Sequence, residues 1–302
     1  MSKIILVSNR LSTSVKIDDT GNVQFSQSMG GLATGLASMH EKENSVWVGW
    51  SGVPEEEVSE ELGRYIDQRL QDDFKSLRVP LNNQELEDFY YGFCNDTVWP
   101  LFHYFPTFAQ YSNDTWQAYR DANRKYFERV MEVAEDGDII WVHDYQLMLL
   151  PAMLKERLPN SKIGFFLHIP FPSYEVFRLI PWREEILRGL LGADLIGFHT
   201  YDYARHFLSS IRRILGAEHS MGNVRFNNRM IKVDAFPMGI DYEKYAGASS
   251  DPDIRDEIER VRYEIGNRRL ILSVDRLDYS KGIPLRIKAF HAFLEKHPEY
   301  HE

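Results

Sequence analysis

Short apolar runs rich in β-branched and aromatic residues alternate along this chain with longer amphipathic stretches. The runs have the length of β-strands and the stretches have the spacing of α-helices. Strands separated by helices form βαβ units, which build a parallel sheet. The run KIGFFLH at 162–168 has no polar alternation, as expected of a strand covered on both faces. The sequence therefore predicts a doubly wound parallel α/β sheet.

The boundaries of the predicted elements follow from where each apolar run meets polar or glycine-containing residues. The predicted strands are 4–7, 45–48, 139–142, 162–167, 195–198 and 270–274. The predicted helices are 32–39, 55–74, 115–134, 146–157, 181–191, 201–215, 253–265 and 283–294. A hairpin is predicted over 223–236, with Asn227 and Asn228 as turn residues.

The length of the chain and one small polar segment set the domain organisation. A chain of 302 residues with 43% hydrophobic content can bury a large core, and about two domains are expected. The segment AGASSDP at 246–252 separates the first sheet pattern from the run at 270–274. We predict one domain over 1–248. The remainder, 249–302, is predicted to be a bridging helix followed by the first strand and helix of a second, incomplete domain.

Charge and cysteine content limit the kinds of partner and compartment. A formal net charge of −10 argues against nucleic acid and against anionic membranes, since both need a large basic face. The single cysteine, Cys94, leaves no intramolecular disulfide and is expected to be a small buried residue, which fits a reducing compartment. The opening MSKIILVSNR is too short for a signal peptide or a membrane span. We expect a cytoplasmic protein.

Polar residues follow most of the predicted strands at the point where each strand ends. In open parallel sheets, ligands bind outside the carboxyl ends of the strands, so these residues are candidate ligand contacts. The polar residues at strand ends are Ser8, Asn9, Arg10, His143, Asp144, His168, His199, Arg276 and Lys281.

The segment LILSVDRLDYSKGI at 270–283 carries two of these cations. An apolar strand would deliver Arg276 and Lys281 onto a short loop that Gly282 closes. A guanidinium and an ammonium group together are suited to holding a leaving diphosphate.

Each candidate also has an ordinary structural interpretation. Gly30 and Gly31 precede a predicted helix, where an anion can bind, but glycines there also serve a tight turn. Arg10 has the alternative of pairing with a carboxylate, and His168 that of bonding to backbone in the core. The large aromatic residues near strand ends suit either a packed core or a sugar pocket; they are Trp50, Tyr91 and Trp99.

Other kinds of active site have little or no sequence support. His143, Asp144, His168 and His199 lie on separate predicted loops without a recognisable metal-ligand spacing, so we expect no metal site. The sequence contains no G-x-S-x-G, P-loop or G-x-G-x-x-G pattern, which leaves serine hydrolase, NTPase and simple dinucleotide-binding functions without a motif.

Seven segments resemble, in order, those of one enzyme family. They are VSNR, GGL with a downstream GWSG, FCNDTVWPLFHY, WVHDYQLMLLP, GFFLHIPFPS, GFHTYDYARHFL and SVDRLDYSKGI. The chain resembles the trehalose-6-phosphate synthases of glycosyltransferase family 20. The resemblance implies a GT-B fold, with two Rossmann-like domains facing across a cleft. It also implies a retaining transfer of glucose from UDP-glucose to glucose 6-phosphate, which gives α,α-trehalose 6-phosphate and UDP.

The resemblance also assigns roles to residues of this sequence. It implies acceptor binding by Arg10, Tyr91 and Asp144, with Trp50 and Trp99 lining the same sugar pocket. It implies donor contacts from Gly30 and Gly31.

For the transfer step the resemblance implies three further residues and no metal or other cofactor. His168 would position the transferred glucose, and Arg276 and Lys281 would neutralise the diphosphate. The acceptor would attack on the face that the diphosphate leaves, with a donor phosphate oxygen helping to take its proton and no enzyme nucleophile.

The family's second domain continues well past residue 302, with further acceptor and nucleotide contacts. We therefore expect this chain to be an N-terminal portion that holds the acceptor and binds UDP-glucose poorly. A non-catalytic subunit that binds glucose 6-phosphate or regulates a synthase complex is the alternative, and another sugar-nucleotide transferase of the same fold is a third. An uncovered apolar face on the helix at 283–294 would favour self-association into a homo-oligomer.

Overall fold

The computed structural model describes residues 2–18, 20–28, 35–36, 40 and 44–301. The chain divides into two compact units, Met1–Met238 and Gly239–Glu302. The division falls after residue 238, whereas the predicted domain boundary follows residue 248. The short helix at Tyr242–Ala246 therefore belongs to the second unit and not to the first.

The first unit is organised around one large sheet. In the described residues this sheet has nine strands in the order β5-β4-β1-β6-β7-β8-β11-β10-β9. The pairings from β5 through β11 are parallel, and β10 and β9 extend the edge in antiparallel fashion. Two further strands, β2 and β3, form a separate antiparallel pair. The strands are β1 Ile4–Arg10, β2 Thr13–Ile17, β3 Val23–Gln27, β4 Ser45–Trp50, β5 Ser76–Arg78, β6 Ile139–His143, β7 Lys162–Leu167, β8 Leu195–Phe198, β9 His219–Ser220, β10 Asn223–Phe226 and β11 Arg229–Ala235.

The five strands predicted before residue 200 all form, and so does the hairpin β10–β11. Asn227 and Asn228 have φ angles of 47° and 58°, the left-handed conformation that asparagine tolerates well in a two-residue turn. The short strands β2, β3, β5 and β9 were not predicted. Each is at most five residues long or lies at an edge, where the apolar signal is weak.

Helices connect the strands of the first unit. Most agree with the predicted helices within a few residues, but the helix predicted at 55–74 begins only at Glu60, where Ser59 caps it. A π-helix over Leu86–Val98 was not predicted. The predicted helix at 32–39 lies outside the described residues except for Gly35 and Leu36. The helices are α1 Glu60–Phe74, α2 Asn83–Glu85, the π-helix Leu86–Val98, α3 Trp99–Phe102, α4 Asn113–Met131, α5 Leu150–Arg157, α6 Tyr174–Phe177, α7 Arg183–Leu190 and α8 Tyr201–Leu215.

Both faces of the central strand are buried. In β1, Ile5 and Val7 belong to the larger apolar core, while Leu6 between them belongs to a second, smaller core. Alternate residues of a strand point to opposite faces, so β1 is covered on both sides. The prediction of a doubly wound sheet is confirmed.

The order of strands locates where a ligand would bind. From β1 the sheet grows through β4 and β5 on one side and through β6, β7 and β8 on the other. The strand order therefore reverses between β1 and β6. In open parallel sheets the ligand crevice lies at the carboxyl ends of the strands that flank such a reversal. Arg10 ends β1, and Asp144 directly follows β6.

The second unit consists of helices and irregular chain in its described residues. Its helices are α9 Tyr242–Ala246, α10 Pro252–Ile265 and α11 Ile283–Lys296, and the latter two confirm the predicted helices. The predicted strand at 270–274 is wrong. The segment has no regular secondary structure and pairs with no other strand in the part of the chain that the structure describes, and Leu272 is 76% exposed. A strand forms only where a neighbour accepts its backbone hydrogen bonds.

The described part of the chain contains no helix that is a candidate for crossing a membrane. None of these helices combines the length and the hydrophobicity that crossing a bilayer requires.

Candidate active site

Arg10 and Trp50 form the first part of the site, at the ends of β1 and β4. The two residues are register neighbours in the parallel pair. The exposed guanidinium of Arg10 lies 4.7 Å from the centroid of the Trp50 ring, which is buried and donates its Nε1–H to the carbonyl of Val53 at 3.1 Å. The ring holds the cation by a cation–π contact without neutralising it. Arg10 therefore presents a positive charge to solvent at the strand-order reversal.

Asp144 joins the loops that follow β6 and β7. Its backbone N–H donates to the carbonyl of Phe166 at 2.8 Å, and its carboxylate Oδ1 accepts the backbone N–H of His168 at 3.1 Å. Asp144 has a φ angle of 74° and a ψ angle of 171°, a backbone conformation that is normally confined to glycine and is costly for an aspartate. Burial raises the pKa of Asp144 to about 7, although backbone N–H groups of His168 and Tyr145 act in the other direction.

Three histidines follow or end neighbouring strands and lie together. His143 Nδ1 is 3.1 Å from His168 Nε2, and the ring centroids of His168 and His199 are 5.6 Å apart. Burial, then the neighbouring His199, lowers the pKa of His168 to about 4, and burial holds the pKa of His143 well below its usual range. Both rings are therefore neutral at pH 7. In the described part of the chain no group of three or more His, Cys, Asp or Glu residues has an arrangement that could hold a metal ion.

The aromatic residues predicted for the site are placed differently from one another. The half-buried Trp99 ring lies 5.9 Å from the ring of Tyr145, the residue after Asp144, and so borders the Asp144 loop. Tyr91 is 53% exposed on the π-helix, and the ring contact recorded for it is with Tyr90 at 5.2 Å. The prediction missed Tyr145, although its position beside Asp144 in WVHDYQL was a usable signal.

A cavity of about 380 Å³ lies beside the histidines. Its walls include Trp141, His143, Gly164, Phe166, His168 and Gly197. A Cβ atom on Gly197 would lie 2.7 Å from Cδ2 of Phe166, and one on Gly164 would lie 3.2 Å from Cδ1 of Trp141. The two glycines therefore leave room for these aromatic rings close to the backbone of the sheet beside the cavity.

The remaining predicted residues lie elsewhere. Gly30 and Gly31 fall outside the described residues. Arg276 and Lys281 belong to the second unit, where Arg276 is exposed and Lys281 is half-buried at the end of a 3₁₀ turn, Tyr279–Lys281. Gly282 closes this turn with a φ angle of 63°, as the sequence predicted, and Asp278 accepts the Ser280 N–H at 2.8 Å. The structure thus brings Arg10 and Trp50 together, and likewise Asp144 and His168.

A doubly wound parallel sheet with a cation, a carboxylate and aromatic rings at its strand-order reversal is a Rossmann-like domain equipped for a small polar ligand. Fold and structural neighbours place it in the GT-B class of glycosyltransferases. The model of the family described as "Glycosyltransferase family 20" matches residues 2–302. The chain belongs to glycosyltransferase family 20.

Relatives with named activities are similar over nearly all of this chain. The α,α-trehalose-phosphate synthase [UDP-forming] of Schizosaccharomyces pombe is 44% identical over 302 residues, which are 99% of this chain and 58% of that protein. Among solved structures, a trehalose-phosphate synthase of Burkholderia vietnamiensis has a TM-score of 0.84 at 30% identity, and an E. coli protein bound with UDP-2-fluoro glucose has 0.83 at 30%. Each of these two structural matches covers 99% of this chain and 62% of the other chain. It thus spans about three fifths of the length of these relatives.

Proposed function

We propose that this chain is the acceptor-binding portion of a retaining trehalose-6-phosphate synthase. The reaction is transfer of glucose from UDP-glucose to glucose 6-phosphate, with α,α-trehalose 6-phosphate and UDP as products. The observation that carries the proposal is that the Asp144–His168 hydrogen bond and the Arg10–Trp50 contact both lie at the carboxyl ends of the strands around the strand-order reversal of a family 20 chain. Relatives named as UDP-forming trehalose-phosphate synthases support it.

The acceptor side of the proposal uses the charge and surface of the first unit. Arg10 binds the phosphate of glucose 6-phosphate, because its guanidinium is exposed and, among the described residues, contacts an aromatic ring and forms no ion pair. Asp144 hydrogen-bonds a sugar hydroxyl. Trp50, Trp99 and the exposed ring of Tyr91 supply the apolar faces against which a hexose packs.

The donor side uses His168, Arg276 and Lys281, with Gly30 and Gly31 beside the nucleotide sugar. The bond from C1 of glucose to the diphosphate oxygen breaks, and a bond from the acceptor hydroxyl to C1 forms on the same face. The hydroxyl proton passes to the departing diphosphate. Arg276 and Lys281 neutralise the charge that develops on that diphosphate, so the step uses no metal ion and no enzyme nucleophile.

We propose a cytoplasmic protein whose small-molecule substrates are UDP-glucose and glucose 6-phosphate. Neither nucleic acid nor membrane is proposed as a partner, because the net charge of −10 opposes both. Exposed Leu285, Ile287 and Phe290 on α11 favour self-association.

Calorimetry and a UDP-release assay test the proposal together. Glucose 6-phosphate is expected to bind, glucose is expected to bind more weakly because it lacks the phosphate, and UDP is expected to be released only when both substrates are present. Chelation of divalent ions by EDTA should leave turnover unchanged. Acceptor binding without UDP release would leave the acceptor assignment in place and exclude catalysis by this chain alone. Absence of glucose 6-phosphate binding would overturn the proposal.

A further inference from the structure

The ring of His168 is hydrogen-bonded to that of His143, a residue with no part in the proposed substrate contacts. His143 ends β6 and is 1% exposed. Its Nδ1 lies 3.1 Å from His168 Nε2, and its ring centroid lies 4.8 Å from the Trp141 ring. The register of the sheet fixes this approach, because His143 pairs with Phe166, two residues before His168.

His168 has a second, independent tie. Its backbone N–H donates to Asp144 Oδ1 at 3.1 Å. Asp144 therefore fixes where the residue sits, while the hydrogen bond to His143 fixes how its ring is turned. Neither His143 nor its neighbour Trp141 has a place in the proposed substrate contacts.

The hydrogen bond also determines where His168 carries its proton. Both rings are neutral, since burial lowers both pKa values, so one ring donates an N–H and the other accepts it. The other nitrogen of His143, Nε2, is buried and has no hydrogen-bond partner in the described part of the chain. Leaving an acceptor unpaired there is the less costly arrangement, because buried N–H groups without a partner are the rarer exception. The proton of His143 then lies on Nδ1.

We propose that His143 is a positioning residue for His168. Its Nδ1–H donates to His168 Nε2, which holds the His168 ring in one orientation and leaves the N–H of His168 on Nδ1. His168 then offers a hydrogen-bond donor, not an acceptor, to an oxygen of the donor sugar. This last role rests on the proposed function, whereas the hydrogen bond and the tautomer do not.

Nuclear magnetic resonance of the ¹⁵N-histidine-labelled chain tests the tautomer directly. Long-range ¹⁵N–¹H correlations at pH 7.5 report which ring nitrogen is protonated, and H168Q identifies the signals of His168. The wild-type chain is expected to show His168 as the Nδ1–H tautomer only. A His168 signal of the Nε2–H tautomer, or of a rapidly exchanging mixture, would overturn the proposal.

Two variants at position 143 separate hydrogen bonding from shape. H143N keeps an amide N–H close to the position of Nδ1, and H143L fills the space without a donor. H143N is expected to retain the Nδ1–H tautomer of His168, while H143L is expected to give a mixture. Identical His168 signals in H143L and wild type would refute the role of His143. If H143L does not fold, the wild-type tautomer and H143N still decide.

Kinetics test the consequence for the reaction. In protein that releases UDP, H143L is expected to lower kcat by about ten- to a hundredfold with KM for glucose 6-phosphate nearly unchanged, and H143N is expected to recover most of kcat. An unchanged kcat in H143L would refute the positioning role. Absence of glucose 6-phosphate binding by the wild-type protein would instead refute the proposed function, and the tautomer measurement would remain valid.

Discussion

Two loops of this protein follow apolar runs that look alike in sequence, yet only the first of these runs forms a strand. The run IIWVH at 139–143 is β6, paired with β1 on one side and β7 on the other. The residue after it, Asp144, forms one hydrogen bond with Phe166 of β7 and one with His168 in the loop that follows β7. The run LILSV at 270–274 has no strand partner in the described chain, and Val274 is 82% exposed. An apolar run specifies a strand only when neighbouring strands accept its hydrogen bonds, and a loop acquires fixed geometry from the sheet that carries it.

The largest expected effect contrasts packing in the two units. Phe198 is fully buried, with its ring centroid 5.5 Å from that of Phe207 and 5.9 Å from that of Phe171. F198A should lower the free energy of unfolding of the first unit by about 3–5 kcal/mol, because it leaves a cavity in the core. L272A lies in the second unit at a position that is 76% exposed, and it should change the free energy of unfolding by less than about 0.5 kcal/mol. Urea unfolding measures both, and equal effects would contradict the contrast.

Asp144 should make the first unit less stable as pH rises. Its folded pKa of about 7 lies above its ordinary value of 3.8, so the folded state binds the proton more tightly than the unfolded state does. Stability from the protonated form is complete below about pH 4 and is lost as pH rises through 7, by up to about 4 kcal/mol. D144N keeps an acceptor for the His168 N–H and cannot ionise. In urea unfolding, the difference in free energy of unfolding between D144N and wild type should grow in favour of D144N from pH 4.5 to pH 7.5. A difference that stays constant with pH would refute the raised pKa of Asp144.

His168 should act with the opposite sign. Its folded pKa of about 4 lies below the ordinary 6.5, so the unfolded state takes up the proton first as pH falls. Stability should decline between pH 6.5 and 4 by on the order of 2–3 kcal/mol from this residue. H168Q should show a shallower decline. Parallel curves for H168Q and wild type would exclude this contribution.

The smallest effect on stability is expected at the second loop. Arg276 is exposed and Lys281 is half-buried, so R276A and K281A should each change the free energy of unfolding by less than about 0.5 kcal/mol. In protein that releases UDP, K281A should lower turnover strongly, because it removes charge from the departing diphosphate. A stability loss that accounts for the lost turnover would contradict a purely electrostatic role.

Much of the fold and part of the site followed from sequence. The strands that form follow from unbroken apolar runs, and the candidate site residues Arg10, Asp144 and His168 are predicted because each lies at a strand end. The hydrogen bond between His143 and His168 could not be read from sequence, since it depends on the register of β6 against β7. The π-helix over Leu86–Val98 could not be predicted as such either, because π-helices are rare and the buried residues of this segment recur every three or four positions, as in an α-helix. The run at 270–274 failed because strand formation depends on neighbours that its own letters do not specify.

The most direct test of the acceptor site is the affinity of this chain for glucose 6-phosphate, measured by calorimetry with R10A and a matched control. Arg64 provides the control, because its exposed side chain pairs with Glu60 on α1, and R64A removes the same charge. R10A is expected to weaken binding by about ten- to a hundredfold through loss of a charge-assisted phosphate contact, while R64A binds as wild type does. An R10A dissociation constant equal to that of wild type would contradict the account.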